Sequence, residues 1–244
     1  MIFILITGVV AGLALGALGC AWGAITVPLL LISGINPMVT KGAVLSSEVV
    51  VSCLGVASHA RLRNVKRDLS LALGFGIIGA LIGSYLSRGL SASSFKVIVG
   101  IYEVFAGVVL LTARPRDVIN VENNSGLKWA FLVGLLAGFV KGFLGTGWGP
   151  IGVTLLVILG ALPKTVVGSS LVARIAISGS AATYYITNGY SSGISTVLLI
   201  IGGLIGVLLG SYSTRFMKEK DMRTVMGVLV LALGIALIIK TIGG

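Results

Sequence analysis

The chain has 244 residues, of which 56% are hydrophobic and 10% charged, with a formal charge of +11 and a mean hydropathy of +1.10. Soluble globular domains carry charged residues at about a quarter of their positions, so this composition excludes such a domain and predicts a chain embedded in a bilayer. The positive charge is then expected in cytoplasmic loops, and no nucleic-acid partner is predicted.

Charged and turn residues divide the chain into eight apolar segments, several of them near the roughly 20 residues that span hydrocarbon. In chain order these segments are 2–34, 42–60, 69–87, 95–112, 127–160, 166–187, 194–213 and 223–240. The long polar stretch at 113–126 is predicted to be a cytoplasmic linker. It separates a first repeat, residues 1–112, from a second repeat, residues 127–244, and the two repeats are predicted to form one membrane domain.

The two halves are copies of one unit. Residues 12–45 align without gaps on residues 138–171, with 15 of these 34 positions identical. The identical pairs include Gly19/Gly145, Trp22/Trp148, Gly23/Gly149 and Pro37/Pro163. Duplicated apolar halves are a common plan of membrane transporters.

Charge in equivalent loops predicts that the two copies cross the membrane in opposite directions. In the first copy a basic loop contains Arg61, Arg63, Lys66 and Arg67, whereas its counterpart at 187–193 carries no charge. One loop further along, the second copy is basic at Arg215, Lys218, Lys220 and Arg223, whereas 88–94 in the first copy is mostly small and neutral. Because basic loops stay in the cytoplasm, we expect inverted repeats.

The first segment of each copy, at more than 30 residues, is too long for one plain helix, and its middle is rich in glycine. In a helix, Gly costs about 1 kcal/mol and Pro about 3 kcal/mol per position. We therefore predict breaks near 19–23 and 145–149, rather than glycines that only allow close helix packing. The predicted fold is an all-α integral membrane protein with two inverted repeats, each a broken or re-entrant helix followed by three transmembrane helices.

Non-helical backbone inside a membrane is tolerated only where protein buries it or where it lines a wet cavity. Two equivalent breaks in inverted halves are therefore expected to meet near the midplane and form a substrate site. Helix N-termini at such breaks attract anions, because their amides are unpaired and the helix dipole is positive there.

The glycine-rich break, the sequence ITVPLL at 25–30, the sequence GTGWGP at 145–150 and the sequence VGSSL at 167–171 resemble the TauE/SafE family of sulfite and organosulfonate transporters. The resemblance covers nearly the whole chain. It implies a multi-pass protein of the cell (plasma) membrane that moves small sulfur-containing anions such as sulfite, thiosulfate or sulfoacetate. We interpret it as a secondary transporter that works by alternating access at the midplane site, and not as an enzyme.

Ionisable residues within predicted membrane segments are costly and are therefore functional candidates. They are Glu48, Glu103, Lys141 and Arg174, with His59 near a segment end. Arg174 is the first candidate for substrate binding, since its planar guanidinium matches a sulfonate, but the aligned Glu48 offers an ion pair as the alternative. Lys141 precedes the second break by one turn and either lends charge to the anion or snorkels to the interface.

Further substrate contacts are predicted for polar and aromatic residues near the breaks: Trp22, Thr146, Trp148, Ser46, Ser47, Ser169 and Ser170. The serines either donate hydrogen bonds to the oxyanion or only back-bond to their own helices. His59 either relays protons near neutral pH or is an ordinary surface residue, so proton coupling is one option. With two isolated cysteines and one histidine, neither a metal site nor another cofactor is predicted.

Two other classes of function stay open on the sequence alone. An anion channel could use the same fold. An intramembrane enzyme would need a nucleophile and a base, and no clear partner for His59 occurs at helical spacing. The sequence contains no nucleotide-binding motif of the Gly-Lys-Ser/Thr type, so direct drive by ATP is not predicted.

Overall fold

The computed structural model of the chain is a bundle of α-helices. It describes residues 1–61, 64–112, 124–159, 161–213 and 219–243, without the side chains at 58, 59, 124, 125, 150, 163, 164, 213, 219, 220, 222 and 223. Residues 113–123 of the predicted linker lie outside the described residues, and so do Arg63, Arg215 and Lys218 of the predicted cytoplasmic loops. These described ranges contain no β-strand.

Each copy begins with an interrupted helical segment, and further helices follow it. The first copy contains α1 (Ile2–Leu18), α2 (Trp22–Ile32), α3 (Pro37–Arg61), α4 (Arg67–Gly74), α5 (Gly76–Leu86), a 3₁₀ turn (Ser87–Gly89) and α6 (Ala92–Thr112). The second copy contains α7 (Asn124–Leu144), a π-helical stretch (Trp148–Val153), α8 (Thr154–Ile158), α9 (Pro163–Thr187), α10 (Gly193–Ser213) and α11 (Glu219–Ile242).

Within the described residues, seven helical stretches are long and apolar enough to cross a membrane: Pro37–Ala57, Arg67–Gly89, Ala92–Thr112, Gly126–Leu144, Thr165–Thr187, Gly193–Tyr212 and Thr224–Ile242. The chain is an all-α integral membrane protein. The fourth stretch belongs to α7, which the sequence assigns to a broken segment, whereas its counterpart α1 has 17 residues. Three crossings after each break therefore stay a prediction, because α7 alone is also long enough to cross.

A helix break interrupts the first segment of each copy, as the glycine-rich sequences predict. In the first copy, α1 ends at Gly19 with φ 65°, and Ala21 follows with φ 73°. At the aligned positions of the second copy, Gly145 has φ 80° and Gly147 has φ 115°. Left-handed backbone ends a right-handed helix, and for Ala21 it costs about 1–2 kcal/mol. The predicted break in each copy is confirmed.

The first broken segment folds back on itself. Helix α1 runs parallel to α10, with Gly8 against Leu199 and Gly16 against Val207. Helix α2 ends beside the end of α11, where Lys240 Nζ donates a hydrogen bond of 2.7 Å to the Ile32 carbonyl. Because α10 begins where α11 ends, the first hairpin opens at that end of the bundle.

The second broken segment opens at the other end. Helix α7 runs parallel to α4 and α5, with Gly134 against Leu73 and Gly138 against Gly76. After α8 the chain enters α9, whose Gly168 lies against the carbonyl of Asn64, just before α4 begins. The two hairpins therefore enter the bundle from opposite ends.

Equivalent helices of the two copies pack antiparallel. Between α3 and α9, Gly42 lies against Tyr190 and Gly55 against Leu171. Between α6 and α11, Gly107 likewise lies against Leu231 while the earlier Gly100 lies against the later Ile238. Inverted repeats require this direction of packing, and the inversion across a bilayer stays a prediction that it supports.

Glycines before the breaks also allow close helix packing, which was the alternative to helix breaks. They recur every fourth residue at Gly8, Gly12 and Gly16 in α1 and at Gly134, Gly138 and Gly142 in α7. A Cβ atom on Gly12 would lie 2.4 Å from the Gly203 carbonyl oxygen, and one on Gly138 would lie 2.0 Å from that of Gly76. Small residues at this spacing let membrane helices approach closely, so glycine has both roles here.

We predict that residues 91 and 188 face the same side of the membrane, because Arg88 Nη1 donates to the Tyr184 hydroxyl at 3.4 Å and so joins their two loops. In a protein whose Cys20 and Cys53 are replaced by alanine, Ser91→Cys and Asn188→Cys should both react with an impermeant maleimide from outside. The control Asp68→Cys should react only after permeabilisation. Labelling of Ser91→Cys and Asn188→Cys from opposite sides would exclude the inverted arrangement.

We predict that Gly138→Ala lowers the stability of the bundle by about 1–3 kcal/mol, as overpacking usually does. The reason is that the new methyl group would meet backbone atoms of α5. Its matched control is Gly74→Ala, where nothing lies within 4 Å of the added atom and no clash is expected. Melting temperatures in detergent measure both effects, and equal values for the two variants would contradict tight packing at Gly138.

Candidate functional site

The two breaks meet inside the bundle and face one cavity, as predicted. A Cβ atom on Gly23 would lie 2.7 Å from the Gly145 carbonyl oxygen, and one on Gly149 would lie 3.1 Å from Cys20 Cβ. The cavity is lined by residues 21–24 of the first break, residues 146–149 of the second, Glu48, Lys141 and Arg174. Its free volume of about 10 Å³ is at the lower limit for holding one water molecule, so the structure represents a closed state.

Three charged side chains form an ion cluster in the wall of this cavity. Lys141 Nζ lies 2.5 Å from Glu48 Oε2, and Arg174 Nη1 lies 3.6 Å from Glu48 Oε1. Each of the three residues is 1% exposed. The alternative in which Lys141 snorkels to the interface is therefore wrong, whereas the alternative in which Arg174 pairs with Glu48 is observed. Two cations against one carboxylate leave the cluster with a net charge of +1.

Arg174 also connects the ion cluster to the first break. Its Nη2 donates a hydrogen bond of 2.9 Å to the carbonyl of Gly19, the residue that ends α1. The last carbonyls of a helix have no partner within the helix and carry partial negative charge. A guanidinium is therefore a suitable cap at this buried helix end.

Three buried polar atoms on residues that line the cavity have no hydrogen-bond partner among the described residues. They are Arg174 Nε, Thr146 Oγ1 and Trp148 Nε1. Trp22, the aligned residue of the first copy, differs because its Nε1 donates to the Val44 carbonyl at 3.2 Å. Buried polar atoms are normally paired in folded proteins. Three unpaired groups that can donate, on residues around one small cavity, are therefore an exception.

Sequence similarity to known proteins identifies the family of this chain. The family described as sulfite exporter TauE/SafE matches residues 4–237 of the chain. The chain belongs to the TauE/SafE family. Two Bacillus subtilis proteins named as probable membrane transporters are similar to it: YtnM, 29% identical over 91% of this chain and 76% of its own length, and YunE, 24% identical over 99% and 98%.

A probable membrane transporter of Xylella fastidiosa strain 9a5c is 28% identical over 95% of this chain and 92% of its own length. No solved structure matches the chain significantly. Membership in the TauE/SafE family makes the chain one of a group of membrane transporters, and its multi-pass architecture is consistent with that.

The four predicted serine donors do not line the cavity of this TauE/SafE protein. Ser47 Oγ donates to the Val44 carbonyl at 3.0 Å, and Ser170 Oγ donates to the Val167 carbonyl at 2.9 Å. Ser169 Oγ accepts from the Lys66 amide at 2.9 Å, and Ser46 is half-buried. Six of the other predicted residues line the cavity, namely Trp22, Glu48, Lys141, Thr146, Trp148 and Arg174, whereas Glu103 does not. The side chain of His59 lies outside the described residues.

The sequence analysis missed a further buried cation, Lys41. Its Nζ donates to Ser87 Oγ at 2.8 Å and lies 4.4 Å from the centre of the Phe95 ring. The predicted segment began at residue 42, whereas α3 begins at Pro37 and so carries Lys41 into the bundle. The signal was present, because proline commonly opens a helix.

We predict that Glu48→Gln destabilises the protein by about 3–5 kcal/mol, because it leaves the buried cations Lys141 and Arg174 without a carboxylate. The double variant Glu48→Gln/Lys141→Gln removes one of those cations and should recover part of the loss. Asp68→Asn, at an exposed acid, serves as the control and should melt like the wild type. A Glu48→Gln protein that melts in detergent at the wild-type temperature would show that the ion cluster contributes little.

Proposed function

We propose that this TauE/SafE protein is a secondary transporter of small sulfur-containing anions, which bind between its two helix breaks. The observation that carries the proposal is the set of unpaired groups Arg174 Nε, Thr146 Oγ1 and Trp148 Nε1 beside a buried cluster with net positive charge. A buried cation site without a full set of acceptors favours an anionic ligand.

The chemistry of the site suits an oxyanion of sulfur. Sulfite, thiosulfate and organosulfonates each present several oxygens that accept hydrogen bonds, and a guanidinium can donate to two of them at once. The first amides of α2 border the same cavity at Trp22 and Gly23. Such amides have no partner within their helix and favour negative charge.

The closed cavity and the opposed hairpins support alternating access. An anion of this size needs more space than the cavity offers, so binding requires one of the hairpins to move away from the other. Because the hairpins enter from opposite ends of the bundle, movement of one would open the cavity to one side and movement of the other to the opposite side. The family description as a sulfite exporter and the naming of relatives as probable membrane transporters support a transport function.

The test is counterflow in liposomes that contain the purified protein. Vesicles loaded with unlabelled thiosulfate should transiently accumulate labelled thiosulfate from a dilute outer solution, and this accumulation should saturate with concentration. A channel would equilibrate the label without accumulation, and an inert protein would show neither. Either of those results, repeated with sulfite and sulfoacetate, would overturn the proposal.

We predict that Arg174→Lys weakens thiosulfate binding about tenfold or more, because lysine keeps the charge but loses the planar fork, and one lost charged hydrogen bond costs about 1.5–3 kcal/mol. Arg88→Lys, at an exposed arginine outside the cavity, is the matched control and should bind like the wild type. The dissociation constants can be measured by calorimetry on protein whose assembly has been verified. An unchanged affinity in Arg174→Lys would assign Arg174 a structural role only.

A further inference from the structure

Glu103 is a buried acid that the proposed site does not use. It lies on α6 with 0% exposure, and neither of its carboxyl oxygens has a hydrogen-bond partner among the described residues. Its neighbour is Thr146, the threonine of the second break, whose hydroxyl is also unpaired. Glu103 Cβ also packs against Gly234 of α11.

No cation among the described residues forms an ion pair with Glu103, since Lys141 and Arg174 both pair with Glu48. On its own helix the adjacent Tyr102 donates its hydroxyl to the Gly147 carbonyl at 3.1 Å. The described segments of α2 and the second break contain no ionisable residue, and α11 has none within a turn of Gly234. On α3, Lys41 is engaged with Ser87, and Glu48 is engaged with Lys141.

An ionised carboxylate without a counter-charge is very costly inside a membrane protein, because burial removes its hydration. The closed structure therefore accommodates Glu103 in its neutral, protonated form. Thr146 separates this carboxyl from the anion cavity, since the same residue lines the cavity wall. Widening of the second break to admit an anion would expose both groups to the same water.

We propose that Glu103 is a proton-binding site coupled to the anion site through Thr146, an inference that rests on the proposed function. An ionised Glu103 would repel an anion in the neighbouring cavity, whereas a protonated one would not. Proton and anion therefore favour each other's binding, and by linkage the effect is reciprocal. The result is transport of the anion together with a proton.

Sodium fits this position less well than a proton. A hard metal cation takes about six oxygen ligands, and the described surroundings of Glu103 offer chiefly its own carboxyl and the Thr146 hydroxyl. The Gly147 carbonyl nearby already accepts from Tyr102. A proton needs only the carboxyl group.

The experiment measures thiosulfate affinity against pH, because thiosulfate keeps its charge across the neutral range. Wild-type protein should bind at least about fivefold more tightly at about pH 6 than at about pH 8, the lower end of typical coupling. Glu103→Gln mimics the protonated acid and should keep the tight affinity at both values. Asp68→Asn, the exposed-acid control, should retain the wild-type response. A Glu103→Gln protein with the wild-type pH response, or a wild-type affinity that follows sodium instead of pH, would overturn the proposal.

A second measurement needs only the wild-type protein and so does not depend on the folding of a variant. A thiosulfate gradient across liposomes loaded with a pH-sensitive dye should drive protons in the same direction as the anion. Counterflow without such proton movement would leave the transporter proposal intact and overturn the role of Glu103. A protein that neither binds nor exchanges thiosulfate, sulfite or sulfoacetate would overturn both.

Discussion

The interior of this protein depends on one constraint, which is that interrupted backbone within a membrane must find its hydrogen-bond partners in other parts of the protein. Each copy supplies partners to the other. Arg174 of the second copy caps the Gly19 carbonyl of the first break, and Tyr102 of the first copy donates to the Gly147 carbonyl of the second. Lys41, also from the first copy, reaches the Phe143 carbonyl at 3.4 Å. The two copies cannot separate without exposing the backbone of both breaks.

Each copy caps the helix break of the other with a cation, but the two caps are not equivalent. Only one of the two cations lies at the proposed anion site. The cation that caps the first break, Arg174, lines the cavity, whereas Lys41 at the second break lies outside the cavity wall and is bound to Ser87. An anion that draws Arg174 toward itself competes with the Gly19 carbonyl for the same guanidinium. In the proposed function, substrate binding and the conformation of the first break are therefore linked through one side chain.

Sequence reasoning predicted the backbone of the site better than its side-chain partners. The paired breaks follow from glycine and proline costs, and the contact between Glu48 and Arg174 follows from their aligned positions. The serine contacts stay untested as substrate contacts, but in the closed state Ser47 and Ser170 back-bond within a turn, a competition that sequence spacing cannot resolve. Lys141 illustrates another limit, because a lysine near a helix end looks the same in sequence whether it snorkels or pairs across the bundle.

The π-helical stretch Trp148–Val153 makes the second hairpin different in kind from the first, whose equivalent helix α2 is α-helical throughout. A π turn holds one residue more than an α turn. Conversion of this π turn to an α turn would shift the register of the helix that follows it by one residue. Such a shift amounts to about 1.5 Å of rise and about 100° of rotation. Trp148 is the first residue of this π-helical stretch. The two hairpins therefore differ in backbone geometry at equivalent positions, so the two half-cycles of the proposed transport need not have equal barriers.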